Sequence, residues 1–275
     1  MQKSNPNDPL LLQVLAQPFE QQQAVGYTKD PLQENQKNPV AGLIHKYHGR
    51  ILLIVTGVCA INCRFCFRRH FPYAENNPGR AGWQKSFAYI QSDQSISEVI
   101  FSGGDPLLAT DNLLAYLVAE IVKIKHVKTL RIHSRIPIVL PERITQSLLD
   151  ILGNSGLQIV MVIHCNHPQE LDAEVFAVFK RLRDIGCHLL NQTVLLKNVN
   201  DSVEVLAQLS HKLFAGHILP YYLHVLDKTQ GTEHFEVSCV DALAIFAGLQ
   251  ICLPGYLLPK LVMEEPHKAS KTLLL

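Results

Sequence analysis

The sequence predicts an α/β fold, a partial (β/α)6 barrel of the TIM type with an N-terminal and a C-terminal extension. Six apolar segments have strand character, and from the second to the sixth their starts lie 31, 29, 30 and 29 residues apart. An alternation of strand and helix about every 30 residues is typical of βαβ units, whose right-handed crossovers give a parallel sheet. The predicted strands are 51–57, 98–104, 129–135, 158–164, 188–196 and 217–226.

Helices are predicted between these strands, because apolar residues there recur with the 3.6-residue helical period. Asp or Thr near several starts and Gly near several ends are the usual start and stop signals of helices. Near-continuous apolar strands favour a partial barrel, and an open doubly wound sheet is the alternative. The predicted helices span residues 111–125, 144–154, 170–186 and 202–214.

The composition of the 275-residue chain, 47% apolar and 18% charged, is that of a folded globular enzyme and excludes intrinsic disorder. The formal net charge of +1 gives no general attraction to nucleic acid. No apolar run reaches the length of a membrane span. The N-terminus does not resemble a signal peptide, because Asp8 interrupts a short apolar stretch. We expect a cytoplasmic protein with no nucleic acid or membrane partner.

Changes in composition predict three regions along the chain. Residues 1–48 are rich in Gln, Asn, Pro and Asp and form an irregular N-terminal extension, with one helix over residues 9–17. Residues 49–236 form the barrel core. Residues 237–275 supply a C-terminal helix and a last segment that closes the fold.

Three cysteines, Cys59, Cys63 and Cys66, lie within eight residues directly after the first predicted strand. The spacing CxxxCxxC supplies three thiolates, one fewer than the four that usually hold an iron–sulfur cluster. A cluster with three protein ligands has one iron open to a reactant. A zinc site that adds His70 is the alternative, although zinc sites favour paired knuckles. Disulfides are not expected, because the chain has an odd number of cysteines, seven, and no secretory leader.

Polar residues follow every predicted strand at its carboxyl end, which is where parallel α/β folds place their active sites. Six such groups in the same register predict one shared site at the mouth of the barrel. Beyond the cysteines, the groups are Ser102–Gly103–Gly104–Asp105, His133–Ser134–Arg135, His164 with Asn166 and His167, Asn191–Gln192–Thr193, and Tyr222, His224 and Asp227.

Charged side chains near this mouth predict a binding site for anions. Arg131, His133 and Arg135 alternate along the third strand and therefore share a face. A buried pair of arginines requires anionic partners, which suggests a phosphate or a carboxylate. Arg64, Arg68 and Arg69 surround the cysteines, where they can hold a carboxylate or be solvated. Glycines at 103 and 104 allow a ligand to approach the backbone closely.

Seven motifs in order resemble the lysine 2,3-aminomutase family of the radical S-adenosylmethionine (radical SAM) enzymes, from about Asp30 to the C-terminus. The runs HKYHGR and FRRHFPYAEN resemble the branch that acts with elongation factor P. That branch has an additional N-terminal helical region, which is expected to be shortened here. The motifs are CRFCFRRH, SGGDP, RIHSRIPIVLPERIT, HCNHPQELD, LLNQTVLLKNVND, PYYLHVLDKTQGTEHF and SKT.

The resemblance implies a barrel of the radical SAM kind and two cofactor sites. Cys59, Cys63 and Cys66 would hold a 4Fe–4S cluster with S-adenosyl-L-methionine (SAM) on its open iron. A lysine near the C-terminus would hold pyridoxal 5′-phosphate (PLP) as a Schiff base; Lys271 matches this position, and Lys268 is the alternative. The residues expected to contact SAM are Ser102, Gly103, Gly104 and Asp105, and those expected to contact SAM or PLP are Arg131, His133, Arg135, His164, Asn166 and Gln192.

The resemblance also implies a substrate and a reaction. Arg68 would bind the carboxylate of L-lysine, and Asp227 and Glu264 its ε-ammonium group. The reaction would be the 2,3-aminomutase isomerisation that makes (R)-β-lysine, driven by an external one-electron donor. The branch implies a link to elongation factor P and the ligase that transfers lysyl groups to it, and a homo-oligomer is left open. The alternatives are an aminomutase for another amino acid, such as glutamate, and a non-catalytic iron–sulfur or zinc protein.

Overall fold

The protein is built on one nine-stranded sheet whose strands follow one another in chain order. The computed structural model describes residues 1, 5–76 and 79–274. The strands are β1 (Leu43–Tyr47), β2 (Arg50–Thr56), β3 (Glu98–Gly103), β4 (Thr129–Ser134), β5 (Gln158–His164), β6 (His188–Val194), β7 (Leu219–His224), β8 (Lys260–Met263) and β9 (Thr272–Leu273). Strands β2 to β8 pair in parallel, and β1 and β9 pair antiparallel at the two edges.

Eight α-helices occur in the described part of the chain. They are α1 (Pro9–Leu12), α2 (Gly79–Ser92), α3 (Asp111–Val122), α4 (Ile136–Val139), α5 (Gln146–Gly153), α6 (Ala173–Asp184), α7 (Val203–Ala215) and α8 (Cys239–Cys252). Side-chain oxygens accept hydrogen bonds from backbone amides in the first turns of the longer helices, which fixes where those helices begin. The capping residues of α3, α5, α6, α7 and α8 are Thr110, Thr145, Asp172, Ser202 and Ser238.

Each parallel strand has two different faces, because its side chains alternate across the sheet. On β4, Leu130 and Ile132 are buried in the main hydrophobic core, with Leu117 of α3 and Leu149 of α5 in the same cluster. The intervening residues of β4, Arg131 and His133, line a cavity on the opposite face. The helices therefore cover the outside of the sheet, and the inner face is free for a binding site.

The sheet curves until its two edges meet through side chains. Lys46 on β1 donates to Glu264, which follows β8, with 2.6 Å between Nζ and Oε1. Residues of the first strands and of the last strands line the same cavity. The predicted partial barrel is thus confirmed, with one more parallel strand than the six predicted. The added strand, β8, has only four residues, too few to form a long apolar run that could be recognised in the sequence.

The predicted elements agree with the observed ones to within a few residues. All six predicted strands occur as β2 to β7, and the four predicted helices occur as α3, α5, α6 and α7. Helix α2 lies in the long first interval, where the sequence analysis placed only the cysteine loop. The helix predicted over residues 9–17 is shorter, because α1 ends at Leu12.

The three predicted regions share this one sheet. The boundary between residues 48 and 49 falls in the turn between β1 and β2, which form an antiparallel pair. The last region contributes α8, β8 and β9, and β8 pairs with β7 of the barrel core. The division into regions stays a prediction.

Helix α8 is apolar around most of its circumference. The stretch Glu233–Cys252 is long and apolar enough for a membrane span by length and composition alone, a test that core helices of globular proteins also pass. The expectation that no apolar run reaches the length of a membrane span is therefore wrong for this stretch. Ala242, Phe246 and Leu249 of this helix are buried in a core cluster with Leu223 of β7.

Candidate active site

The residues expected to bind a cofactor or the substrate line one cavity of about 690 Å³ inside the curved sheet, whereas His167, Asn191 and Thr193 of the predicted strand-end groups are not part of its lining. The cavity runs from the carboxyl ends of the strands, where the cysteines lie, to the segment that follows β8. Residues far apart in the sequence therefore meet in one place. The lining includes Cys59, Cys63, Cys66, Arg68, Ser102, Gly103, Gly104, Asp105, Arg131, His133, Arg135, His164, Asn166, Gln192, Asp227, Glu264 and Lys271.

The cysteine loop begins where β2 ends and is packed against the end of β3. Gly104 donates its backbone N–H to the carbonyl oxygen of Thr56 at 2.7 Å, and Asp105 donates to that of Val58 at 2.8 Å. A Cβ atom on Gly103 would lie 2.4 Å from the Thr56 oxygen, and one on Gly104 would lie 2.4 Å from the Val58 oxygen. The glycine pair is therefore required for the close approach that sets the cysteine loop beside the strand ends.

The three cysteine thiols are free and share the cavity lining. Burial and the neighbouring Cys63 raise the pKa of Cys66 to about 11, so its thiolate requires a cationic partner. Across residues 1, 5–76 and 79–274, no group of three or more His, Cys, Asp or Glu side chains is suited to one metal ion. A cubane offers a separate iron to each thiolate, so its ligands need not converge on one ion. His70, the fourth ligand of the zinc alternative, lies 3.1 Å from the carbonyl oxygen of Gln230.

Arg68 is already engaged by a carboxylate of the chain. Its Nε and Nη2 atoms donate to the two carboxylate oxygens of Glu34, both at 2.7 Å. Its Nη1 atom donates to the Ser102 hydroxyl at 3.0 Å. Glu34 comes from the N-terminal extension and also lines the cavity. Glu34 thus holds one edge of the guanidinium, and the edge formed by Nη1 and Nη2 is the one left for a second carboxylate.

The anions expected for the other two arginines are also carboxylates of the chain. Arg131 pairs with Glu98, and Arg135 donates through Nη2 to Glu170 at 2.8 Å. The phosphate or carboxylate inferred from the sequence is therefore supplied internally at both positions. The Nε atoms of Arg131 and Arg135 are nevertheless buried and have no hydrogen-bond partner within the described chain.

Two of the predicted ligand contacts are occupied by structural hydrogen bonds. The carboxylate of Asp105 accepts from the Ser134 hydroxyl at 2.7 Å and from the backbone N–H of Arg135 at 2.8 Å. The side-chain amide of Asn166 donates to Gln13 at 3.0 Å, and its oxygen accepts from the backbone N–H of Val194 at 2.9 Å. Both side chains hold neighbouring strand ends in place.

Lys271 and Glu264 form an ion pair at the other end of the cavity. Glu264 also accepts from Lys46 at 2.6 Å and from the Tyr47 hydroxyl at 2.8 Å. Burial opposes its ionisation, but Lys271 and Lys46 outweigh burial and hold the pKa of Glu264 below its ordinary value. Lys268, the alternative PLP lysine, is exposed and is not part of the cavity lining.

Asp227 is the second carboxylate at this end. Burial, and after it the negative charge of Glu264, raises the pKa of Asp227 to about 7. Lys271 opposes this shift without cancelling it. An incoming ammonium group would favour the ionised form of Asp227, so the site is suited to a cationic side chain.

Three histidines of the parallel strands also line the cavity. In the part of the chain that the structure describes, the Nε2 atoms of His133, His164 and His224 are buried and have no hydrogen-bond partner. Burial lowers the pKa of each, and Lys271 contributes to the shift at His133 and His224. These imidazoles are therefore neutral and available to a bound ligand.

Several lining residues were not singled out as site residues from the sequence. Besides Glu34, they include Lys46, Tyr47, Arg50 and Lys260. Lys46 and Tyr47 lie in HKYHGR, which served only as a mark of resemblance. Period-2 alternation on β1 is the signal that could have placed Lys46 on the inner face.

The sequence model of the Radical SAM superfamily matches residues 53–209. The L-lysine 2,3-aminomutase of Haemophilus influenzae is 49% identical over 274 residues, which cover 99% of this chain and 81% of that protein. The L-lysine 2,3-aminomutase of Escherichia coli is 50% identical over 272 residues, covering 99% of this chain and 79% of that protein.

A solved radical SAM methyltransferase from Sphaerobacter thermophilus has a similar fold, with a TM-score of 0.53 and 15% identity. The match covers 80% of this chain and 68% of that structure. The family resemblance seen in the sequence is confirmed, and with it the expectation of a 4Fe–4S cluster and SAM. The chain belongs to the radical SAM superfamily and, within it, to the lysine 2,3-aminomutase family.

Proposed function

We propose that the chain is a PLP-dependent L-lysine 2,3-aminomutase that makes (R)-β-lysine. The observation that carries the proposal is that the three cysteines and Lys271, 205 residues after Cys66, line one cavity. An aminomutase of this class needs its radical source and its PLP lysine to reach the same substrate. The relatives that match nearly the whole chain are L-lysine 2,3-aminomutases.

The residues present are suited to each expected group. Cys59, Cys63 and Cys66 would hold the 4Fe–4S cluster, and the segment Ser102–Asp105, which lines the same cavity, would contact SAM. Lys271 would hold PLP. Other basic residues of the cavity lining would suit the phosphate group of PLP. That basic group comprises Arg50, Arg131 and Lys260. The bare Nε2 atoms of His133, His164 and His224 match the polar atoms of a heterocyclic cofactor.

The chain's own residues would position the substrate. When bound, SAM on the cluster supplies a carbon radical that exchanges hydrogen with the substrate, and PLP supplies an imine through which nitrogen can move. The free edge of Arg68 would bind the α-carboxylate of lysine, and Asp227 its ε-ammonium. Glu264 was expected to bind the ε-ammonium together with Asp227, but it is already paired with Lys46 and Lys271. We propose that it instead fixes Lys271 beside the substrate nitrogen. Lysine carries one anionic and two cationic groups, which this arrangement matches.

The substrate's side-chain charge separates this proposal from a glutamate aminomutase. Asp227 contributes negative charge where the side chain would end, and Glu264 lies near it. A glutamate carboxylate placed there would face the carboxylate of Asp227. The cations nearby, Lys46 and Lys271, are already paired with Glu264. We therefore expect L-lysine to be isomerised at least about a hundredfold faster than L-glutamate, a difference of about 2.7 kcal/mol in transition-state stabilisation.

The test is anaerobic reconstitution with iron, sulfide, PLP, SAM and a reductant, followed by chromatographic separation of α- and β-lysine. Wild type should form β-lysine, and Cys63→Ala should form none. Cys239→Ala is the matched control, because Cys239 is an exposed cysteine outside the cavity lining. If wild type forms no β-lysine, or Cys63→Ala is as active as wild type, the proposal fails.

The assignment of the PLP lysine has its own test. Lys271→Ala should lose the absorbance band of lysine-bound PLP, and Lys268→Ala should keep it. Loss of the band in Lys268→Ala alone would transfer the role to Lys268. A non-catalytic iron–sulfur or zinc protein would show no such band in any variant.

We further propose that the product serves β-lysylation of elongation factor P. The support is the resemblance of HKYHGR and FRRHFPYAEN to the branch that acts with this factor. Intact mass measurement of elongation factor P, incubated with its lysyl-transferring ligase and the enzyme's product, would reveal the added group. An unmodified mass would contradict this step. The cytoplasmic location and a homo-oligomeric state stay predictions.

A further inference from the structure

An arginine of the barrel donates a hydrogen bond directly to one of the three cysteines. Arg135, at the end of β4, places Nη1 2.9 Å from the Sγ atom of Cys63. The side chain of Arg135 also packs over the Phe65 ring, 5.7 Å from its centroid. Only 8% of Arg135 is exposed, so water competes little for this hydrogen bond. Hydrogen bonds to cysteine sulfur are among the factors that set the reduction potential of iron–sulfur clusters.

The Nη2 group of the guanidinium is fixed by two buried residues from distant parts of the chain, whereas Nε has no partner among the described residues. Nη2 donates to Glu170 at 2.8 Å and to the side-chain oxygen of Gln13 at 2.7 Å. Gln13 is fully buried. The backbone N–H of Arg135 donates to Asp105 at 2.8 Å. Both ends of the arginine are thus held, and Nη1 is directed at the sulfur.

Glu170 is itself fixed by the backbone that follows β5. Its Oε1 atom accepts from the backbone N–H groups of Asn166 and His167, both at 2.9 Å. The carboxylate balances the charge of Arg135, so the pair adds no net charge beside the cysteines. The influence of Arg135 on a cluster would therefore come from one directed N–H group.

We propose that Arg135 is a positioning residue that raises the reduction potential of the cluster on Cys59, Cys63 and Cys66, with Gln13 and Glu170 directing its Nη1 at Cys63. This inference rests on the cluster assignment of the proposed function. Donation to the sulfur withdraws electron density from the thiolate ligand. The reduced cluster carries one more negative charge than the oxidised cluster, so this donation stabilises the reduced form more.

The experiment is a redox titration of the reconstituted protein without SAM, followed by electron paramagnetic resonance. In Arg135→Gln, the ratio of reduced to oxidised cluster at a fixed potential should fall at least about tenfold, which is about 59 mV for one electron. Gln13 contacts no cysteine sulfur, and Gln13→Met removes its hydrogen bonds with Arg135 Nη2, Asn166 and Glu170 while leaving Arg135 in place, so its ratio should fall by a smaller factor. The second variant tests the inference even if Arg135→Gln fails to assemble a cluster.

Arg64→Gln is the matched control. Arg64 is similarly buried, at 5% exposure, and adjoins Cys63 in the chain. Its guanidinium donates to Glu20 and to the carbonyl oxygen of Leu12 and also contacts His234; none of these atoms is a sulfur. Its potential should stay at the wild-type value.

Three outcomes would overturn the inference. One is a wild-type potential in both Arg135→Gln and Gln13→Met with full iron content. Another is an equal fall in Arg64→Gln, which would trace the effect to lost charge or packing. If the wild-type protein binds no cluster at all, the proposed function fails together with this inference, and that result is distinct from the other two.

Discussion

The two sides of the cavity satisfy their polar groups in different ways. On the cysteine side, three buried arginines each donate to a buried carboxylate of the chain at 2.6 to 2.8 Å. On the Lys271 side, the imidazole Nε2 atoms of His133 and His224 have no partner among the described residues. An unpartnered buried polar atom costs stability, whereas a paired one does not. The cysteine side is therefore a frame whose arginine–carboxylate pairs are finished within the chain, although the Nε atom of Arg135 has no partner there. The Lys271 side keeps hydrogen-bonding capacity for ligands.

The largest expected effect comes from breaking a pair on the finished side. Glu34→Gln leaves the buried Arg68 charge uncompensated, so the free energy of unfolding should fall by about 3–5 kcal/mol. Urea denaturation of the ligand-free protein measures this loss. Glu120→Gln, which removes the surface pair with Lys123, should change it by less than about 0.5 kcal/mol. An equally small change in Glu34→Gln would show that the frame does not depend on the pair.

The next effect is steric and lies on the same side. In Gly104→Ala the new Cβ meets the Val58 carbonyl oxygen, so we expect a loss of about 1–3 kcal/mol and lower iron uptake by the displaced cysteine loop. Thermal unfolding and iron analysis give the two readouts. Gly255→Ala meets no atom within 4 Å and should change stability by less than about 1 kcal/mol. Normal iron uptake in Gly104→Ala would contradict the requirement for glycine.

The pH dependence of substrate binding tests the Lys271 side. Asp227 has its pKa raised to about 7, so its ionised fraction falls as the pH drops through that value. An ammonium group binds the ionised form, so the KM for lysine should be about tenfold higher at pH 6 than at pH 8. Initial rates across this interval measure the change. Asp227→Asn should have a high KM for lysine that no longer varies with pH. If the KM of this variant varies with pH as in the wild type, Asp227 does not bind the ammonium group.

The smallest effect has the opposite sign. His224→Phe removes a bare buried nitrogen and should stabilise the ligand-free protein by up to about 1 kcal/mol, while weakening PLP binding. The wild type should lose stability as the pH falls below about 6.5, because the unfolded histidine takes up a proton that the buried one resists. The variant should lose less. Urea denaturation at pH 5 and pH 8 measures both effects, and His188→Phe, at an exposed histidine, is the control. If His224→Phe destabilises the protein, the unpartnered nitrogen of His224 does not cost stability, which would contradict the comparison.

The sequence predicted the parts of the site that are local in the chain. Cys59, Cys63 and Cys66 are recognisable by spacing, and Gly103 and Gly104 follow a clear apolar strand. Six strands and four helices were predictable because their periodicity is long and uninterrupted. Strands β1, β8 and β9 were missed because each is short, and pairing with neighbours decides their conformation.

The partners of the arginines could not be assigned from local patterns. Glu34 contacts Arg68 across 34 residues, and Gln13 contacts Arg135 across 122. Both lie in a polar N-terminal extension that resembles a loop by composition. Burial of Arg68 requires some carboxylate, but only the folded backbone selects Glu34 among the acidic residues available.

The N-terminal extension crosses over the cysteine loop, and this has a consequence for biosynthesis. Glu20 and Gln13 contact Arg64, and all three residues lie in the first quarter of the chain. Other contacts that hold the extension over the loop involve residues near position 230. Arg69 donates to the carbonyl oxygen of Gly231, and Thr28 donates to that of Lys228. A chain that emerges from the ribosome N-terminus first cannot close this cover until those residues have been made. The cover over the cysteine loop is therefore completed only after residue 231 has been synthesised.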